Sequence, residues 1–265
     1  MSPRVLVLRA PGTNCDKETA FAFEQAGGTT RPAHVRELLD NPQLLNEHQV
    51  LAIPGGFSYG DDIASGRILG NQLRLRLAEA LLEFRDAGKL VLGICNGFQV
   101  LMKTGLLDVD DAEGPQATLA WNNNGRYEAR WVKLGVAPGE CVFLSGLDEI
   151  ELPVAHAEGK FVVRDQATLD ALAASGRLVL RYTPVGEPAL ATAATMAPAV
   201  PYPANPNGAC GDVAGICDTT GRVLGLMPHP ERFLFAHQHP QWTRNGLTGD
   251  GAGMKLFENA VKYFA

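Results

Sequence analysis

Short apolar runs alternate along this chain with stretches of helical period. Residues 5–8 (Val-Leu-Val-Leu), 50–53 and 90–94 are each a few apolar residues between turn signals, the pattern of strands buried on both faces. The first run predicts a strand over Arg4–Arg9, followed by a turn at Pro11-Gly12-Thr13-Asn14. A helix then follows over residues 16–26, with Asn14 or Asp16 as its cap. Apolar residues at 69, 73, 77, 80, 81 and 84 mark one face of a long helix over 68–87, which Gly88 stops. Another helix is predicted over 97–107. The middle of the chain is richer in β signals, with strands over 117–121, 127–134, 141–144 and 150–163. A helix over 166–175, strands over 178–182, 213–217 and 223–227, and a closing helix over 251–264 complete the pattern.

Strand–helix alternation of this kind predicts an α/β fold, a mostly parallel sheet flanked by helices, with a β-rich middle section. It reads as one domain over residues 1–265. Two segments do not fit the alternation. Residues 183–208 carry six prolines and little charge, which predicts a surface excursion. Residues 233–249 are aromatic and polar without periodicity, as in a packed surface loop or one that meets a partner.

Composition narrows the function classes. The formal net charge is −6 and Lys and Arg are scattered, so there is no electrostatic footprint for nucleic acid or a membrane surface. No apolar run approaches the ~20 residues needed to cross a bilayer. The five cysteines are odd in number and lack the spacing of a zinc knuckle, which predicts reduced thiols in a cytoplasmic protein and no metal site.

Three motifs carry chemistry, and each follows an apolar strand. Gly93-Ile94-Cys95-Asn96-Gly97-Phe98-Gln99 places a cysteine at a sharp strand-to-helix turn, with glycines where strand and helix must approach. A helix N-terminus favours the thiolate, the form a nucleophile needs. Gln99 lies one helical turn beyond Cys95, toward the same pocket. Pro54-Gly55-Gly56-Phe57-Ser58-Tyr59-Gly60-Asp61 has two glycines that free backbone N–H groups to approach a ligand. With the N–H of Asn96 they could bind the oxyanion of an acyl-transfer intermediate, although for the glycines alone a plain turn is the more frequent explanation and a phosphate cradle a third. Met227-Pro228-His229-Pro230-Glu231-Arg232 offers a base and its orienting carboxylate. The ends of parallel strands share one edge of a sheet, where ligands bind, so the three motifs should converge. His156 and Glu158 have the same His-x-Glu spacing as His229 and Glu231, and spacing alone does not choose between the pairs.

G-x-C-x-G-x-Q, a strand followed by Gly-Gly, and a late His-Pro-Glu together resemble the class I, triad-type glutamine amidotransferases. Residues 54–62 (PGGFSYGDD), 93–101 (GICNGFQVL), 153–159 (PVAHAEG) and 225–232 (GLMPHPER) are similar, more narrowly, to the glutaminase subunits of phosphoribosylformylglycinamidine synthase. Residues 10–16 (APGTNCD) and the stretch from Asn205 to Asp218 are also similar to these subunits. The resemblance extends over nearly the whole chain and implies a flavodoxin-like amidotransferase fold. It implies Cys95 as nucleophile, His229 as base and acid, and Glu231 as the group orienting it. Gly55, Gly56 and Asn96 fall to the oxyanion hole, Gln99 to the substrate pocket, and His156 and Glu158 to accessory places. The implied reaction hydrolyses L-glutamine to glutamate and passes ammonia to a synthetase subunit that makes formylglycinamidine ribonucleotide for purine synthesis. A small third subunit is implied as a further partner. No cofactor is expected in this chain, and ATP and magnesium would belong to the synthetase.

Overall fold

The computed structural model describes residues 2–184 and 194–265. Nine strands form one sheet, numbered here along the chain: β1 Arg4–Arg9, β2 Thr29–His34, β3 Val50–Ile53, β4 Leu90–Ile94, β5 Glu128–Val136, β6 Glu149–His156, β7 Leu180–Thr183, β8 Val213–Cys217 and β9 Val223–Leu226. Their order across the sheet is β2-β1-β3-β4-β9-β8-β7-β5-β6. The pairs from β2 through β9 are parallel, whereas those from β9 to β6 are antiparallel. The β-rich middle section therefore supplies β5 and β6, the outer half of the antiparallel flank of the same sheet. Among the described residues six α-helices accompany it: α1 Asp16–Gln25, α2 Val35–Asp40, α3 Arg67–Asp86, α4 Asn96–Leu101, α5 Gln166–Ala174 and α6 Met254–Lys262. None of the described helices is long and apolar enough to cross a membrane.

The central strands form where the sequence is continuously apolar. Every residue of β3, β4, β8 and β9 is buried. Along α3 the buried side chains Leu69, Leu73, Leu77, Leu81 and Phe84 follow the predicted stripe. α4 is pressed so closely onto β3 and β9, the strands on either side of β4, that only glycine fits at several positions. A Cβ on Gly97 would lie 1.8 Å from the Ile53 carbonyl oxygen, and one on Gly225 would meet the Phe98 ring at 2.1 Å.

Several elements depart from the sequence expectation. α1 is capped at Cys15 without a side-chain hydrogen bond, so neither Asn14 nor Asp16 plays that part. α4 stops at Leu101, not at 107. The Thr104 hydroxyl donates to the Leu101 carbonyl at 2.9 Å, and Gly105 turns the chain with φ 81°. Leu106 and Leu107 are still buried, which is why the apolar pattern runs on past the helix. Residues 142–144 form a 3-10 turn in place of a strand, tied to α6 through Asn259 Nδ2 and the Phe143 carbonyl. The run 150–163 breaks after His156, and Lys160–Val163 leaves the large sheet to pair with Ala117–Ala120. β2 and α2 have no counterpart in the predicted pattern. β2 is an edge strand containing Pro32, a residue tolerated there because the edge needs no ladder donor.

The proline-rich segment is only partly described, since residues 185–193 lie outside the described residues. Its later part runs along the surface, exposed at residues 195–199 and 201–203, and is anchored from beneath. The carboxylate of the buried Asp212 accepts from the N–H groups of Ala199 and Val200, and Asn207 Nδ2 donates to the Gly159 carbonyl at 2.8 Å. The 233–249 loop packs through Phe233 and His239 onto Trp131.

The close approach at α4 predicts a steep cost for any Cβ there. Gly97→Ala is expected to lose more than about 4 kcal/mol of stability, since backbone must move. Gly105→Ala, left-handed but with nothing within 4 Å, should lose only about 1 kcal/mol. Urea midpoints of the two variants, compared with the parent, check the contrast.

Candidate active site

The strands β3, β4 and β9 are neighbours and run parallel, so the three segments that follow them emerge side by side. Cys95 sits between β4 and α4 with φ 52° and ψ −106°. A side chain larger than glycine pays conformational energy in that region, and such strain persists only where surroundings enforce it. Here the Cys95 N–H is held by the Leu226 carbonyl at 2.7 Å, while its own carbonyl accepts from Phe98 and Gln99. Gly93 and Gly97 permit the turn, since a Cβ on Gly93 would lie 2.7 Å from the Gly97 oxygen.

The Gly-Gly loop is fixed by the neighbouring turn. The Gly55 carbonyl accepts from the N–H groups of Asn14 and Cys15, and the Phe57 N–H reaches back to Gly12. Gly56 has φ 143°, and a Cβ there would press on Asn14 N at 2.7 Å. Gly55 sits where three side chains meet. The position of an added Cβ is 2.9 Å from His229 Cε1, 3.3 Å from Cys15 Sγ and 3.5 Å from Cys95 Cβ. The missing side chain leaves the room in which the histidine ring comes up to the thiol.

His229 and Glu231 pair directly, with Nδ1 and Oε1 2.6 Å apart and both side chains buried. That contact directs Nε2 away from the carboxylate. Burial works against protonation of His229, but Glu231 and Cys95 outweigh it, and its pKa stands well above the ordinary histidine value. His156 and Glu158 do not form the equivalent pair. His156 Nδ1 meets Asn122 Oδ1 at 3.2 Å, and burial, with the nearby His229 adding to it, holds the His156 pKa down to about 3. Glu158 is directed instead toward Ser65. The structure thus separates two histidines that spacing left equivalent.

Cys95 opens onto a cavity of about 300 Å³ that is also lined by Gly56, Gln99, His156 and Glu158. A chain of amide contacts forms its floor. Asn96 Oδ1 accepts from Ser58 N–H, and Asn96 Nδ2 donates to Asp61 Oδ1 and Gln99 Oε1. Gln99 Nε2 in turn donates to the Glu158 carbonyl. The side chains of Asn96 and Gln99 are therefore committed to holding the Asp61 loop and the Glu158 strand end around the cavity. Asn96 is left with its backbone N–H for the oxyanion role that the resemblance implies.

Cys15, Arg232, Asp61 and Trp121 stand at the site although the sequence reading gives none of them a role. Cys15 is buried beside His229, and Arg232 Nη2 donates to its sulfur at 3.1 Å. The Asn14-Cys15 turn gives no hint of this, because its partner is far away in the chain. Asp61 lines the cavity, as does the exposed Trp121. Cys15, His229 and Glu231 bring possible metal-ligand atoms within 4.8 Å of one another. The set suits a metal poorly, because Glu231 already holds Nδ1 of His229 and the guanidinium of Arg232 occupies the Cys15 sulfur.

The depressed pKa of His156 has a consequence for stability. In the unfolded chain this histidine takes up a proton near pH 6.5, while in the folded one it stays neutral down to about pH 3. Unfolded chains then bind more protons, so stability falls as pH drops through that window, by about 1.4 kcal/mol per pH unit from this group. Urea unfolding at pH 6 and pH 5 should show a shallower loss for His156→Gln than for the parent.

Comparison with known proteins agrees with this geometry. A family model described as a CobB/CobQ-like glutamine amidotransferase domain matches residues 2–264. The phosphoribosylformylglycinamidine synthase subunit PurQ of Dehalococcoides mccartyi is 47% identical over 261 residues, covering 98% of this chain and 97% of the relative. The protein of the same name from Methanococcus maripaludis strain S2 is 39% identical, covering 99% and 97%. A chain of the solved PurLQS structure from Thermotoga maritima superimposes with a TM-score of 0.72 at 28% identity, covering both chains in full. The fold alone is shared with a solved glutamine amidotransferase of Thermotoga maritima, at 16% identity and a TM-score of 0.51, covering 92% of this chain and 82% of that one. The chain belongs to the CobB/CobQ-like glutamine amidotransferase family, and within it to the PurQ subunits of phosphoribosylformylglycinamidine synthase.

Proposed function

We propose that this chain is the glutaminase subunit of phosphoribosylformylglycinamidine synthase, with Cys95, His229 and Glu231 as its catalytic triad. The observation that carries the reading is the meeting of Cys95, His229 and the Gly55-Gly56 loop at the ends of three adjacent parallel strands.

Cys95 attacks the side-chain amide carbon of L-glutamine. The carbonyl oxygen becomes an oxyanion, received by backbone N–H groups of the Gly55-Gly56 loop and Asn96. One such donor is worth roughly 3–4 kcal/mol of barrier. His229 gives its proton to the departing nitrogen, and ammonia leaves. Glu231 at 2.6 Å keeps the imidazole in the orientation and tautomer needed for that transfer. Water, deprotonated by the same histidine, then attacks the γ-glutamyl thioester. Glutamate leaves, the proton returns to the sulfur–imidazole pair, and the site is restored.

Ammonia passes to an ATP-dependent synthetase, where it converts formylglycinamide ribonucleotide to the amidine in purine synthesis. ATP and magnesium belong to that partner, and a small third subunit completes the assembly. A cytoplasmic setting agrees with five cysteines that are all unpaired.

Cys95→Ala in the reconstituted complex is expected to abolish glutamine-dependent turnover, by at least about 10³-fold, while turnover driven by free ammonia survives. Loss of both in a properly assembled complex would contradict the division of labour. For the base, rapid-quench capture of the γ-glutamyl thioester should fail in His229→Ala and persist in His156→Ala.

A further inference from the structure

Arg232 and Cys15 stand against the triad, yet the acyl-transfer steps give neither a part. Neither is among the described residues lining the cavity beside Cys95, so whatever they contribute passes through the triad itself. Arg232 directly follows Glu231 and divides its guanidinium between two groups. Nε lies 4.0 Å from Glu231 Oε1, the oxygen that holds His229 Nδ1, and Nη2 donates to Cys15 Sγ at 3.1 Å. Cys15 is a fixed anchor for it. The residue is 1% exposed, its N–H goes to the Gly55 carbonyl, and its own carbonyl takes the N–H and hydroxyl of Thr19. Its S–H is directed at Asn14 Oδ1, 3.2 Å away, which leaves sulfur lone pairs for the guanidinium. The same sulfur lies within 4.8 Å of a His229 ring nitrogen and a Glu231 oxygen. The Arg232 side chain as a whole is 39% exposed, so without this anchor its charged end would turn to water.

Charge explains what such a tether does. With Cys95 as thiolate, His229 protonated and Glu231 ionised, two negative charges face one positive among side chains shielded from water. A net charge buried in this way is costly unless a countercharge meets it. No Lys or Arg is among the described residues that line the cavity, whereas Asp61 and Glu158 line it as further acids. The other titratable groups around the triad bring no positive charge. Burial, with His229 adding to it, holds His156 of β6 neutral, and burial raises the phenols of Tyr127, before β5, and Tyr182 of β7. Asp16, next to Cys15 in α1, is paired with Arg9 at 2.7 Å. Arg232 remains. Burial works against its charge, but Cys15, Glu231 and Cys95 outweigh that, and its pKa stands above the ordinary arginine value.

On the reading that Cys95 and His229 carry out glutamine hydrolysis, we propose that Arg232 is a positioning residue for that reaction. Tethered to Cys15, its guanidinium supplies the positive charge that lets a thiolate and a carboxylate stand on either side of the His229 imidazolium. It acts through the charge of the triad and not through contact with substrate. Cys15 has the complementary part of holding that charge in place, since its sulfur bonds the guanidinium from a site fixed by the Gly55 turn.

Iodoacetamide reacts with the thiolate, so its rate on Cys95 across pH reads the charge directly. The rate is followed by peptide mass spectrometry in the assembled complex. In Arg232→Gln the pH of half-maximal labelling is expected to rise by about half a unit or more, because losing a nearby positive charge disfavours the thiolate. The acid limb of kcat/KM for glutamine should move the same way. Arg232→Lys keeps the charge and should label near the parent's midpoint. Cys15→Ala frees the guanidinium and should raise the midpoint by a smaller amount. An unmoved midpoint in Arg232→Gln or in Cys15→Ala, or equal shifts for the Gln and Lys variants, overturns the proposal. Should Arg232→Gln fail to assemble, Cys15→Ala decides by the same midpoint. Labelling needs no turnover, so a parent complex that hydrolyses no glutamine would overturn the glutaminase reading separately.

Discussion

The site depends on how closely α4 is pressed onto the ends of β3 and β4. At 1.8 Å from a Gly97 Cβ to the Ile53 carbonyl, no side chain can stand between helix and strand. That proximity bends the chain sharply at Cys95, drives its φ positive, and lifts the thiol clear of the sheet. The same proximity brings Gly55, at the end of β3, against the Cys95 side chain. The missing Cβ of Gly55 then admits the His229 ring. A side chain at Gly97 would have to displace the Ile53 backbone, and one at Gly55 the His229 ring.

Electrostatics at the site follow from burial. His229, Glu231 and Cys95 are all shielded from water, so their mutual charges act through a poorly polarisable medium. The proton on His229 is favoured by Glu231 on one side and sulfur on the other, enough to overcome the cost of burying it. His156 sits a short way off in the same interior without a carboxylate partner, and stays neutral. Two histidines with the same local sequence pattern thus take opposite charge states, decided by which one has a carboxylate within hydrogen-bond reach.

Much of the fold is legible in residue order alone. β1, β3, β4, β8 and β9 are unbroken apolar runs because they are buried on both faces, and the stripe on α3 repeats at helical spacing. β2 escapes such a reading because an edge strand of Thr-Thr-Arg-Pro-Ala-His has neither property. α4 reads as too long because Leu106 and Leu107 remain buried in the turns that follow it. At the site, Cys95, His229 and the two glycines are visible because each stands at the end of such a strand. Cys15, Arg232 and Asp61 are not. The Arg232–Cys15 contact joins residues 217 positions apart, and Asp61 reaches the cavity only through a loop whose positive φ values no local pattern announces. The His156 and Glu158 spacing suggests a pair that the structure does not form, because Asn122 and Ser65 claim the two side chains.

In the proposed mechanism Cys95, and not the neighbouring Cys15, is the sulfur that meets the glutamine amide. A diazoketone analogue of glutamine presents an electrophilic carbon at the position of that amide and becomes bonded to the attacking thiol. Peptide mass spectrometry of the treated complex should find a single adduct, on Cys95, whose formation glutamine suppresses. An adduct on Cys15, or labelling of Cys95 that glutamine does not suppress, would contradict the placement of substrate and nucleophile described above.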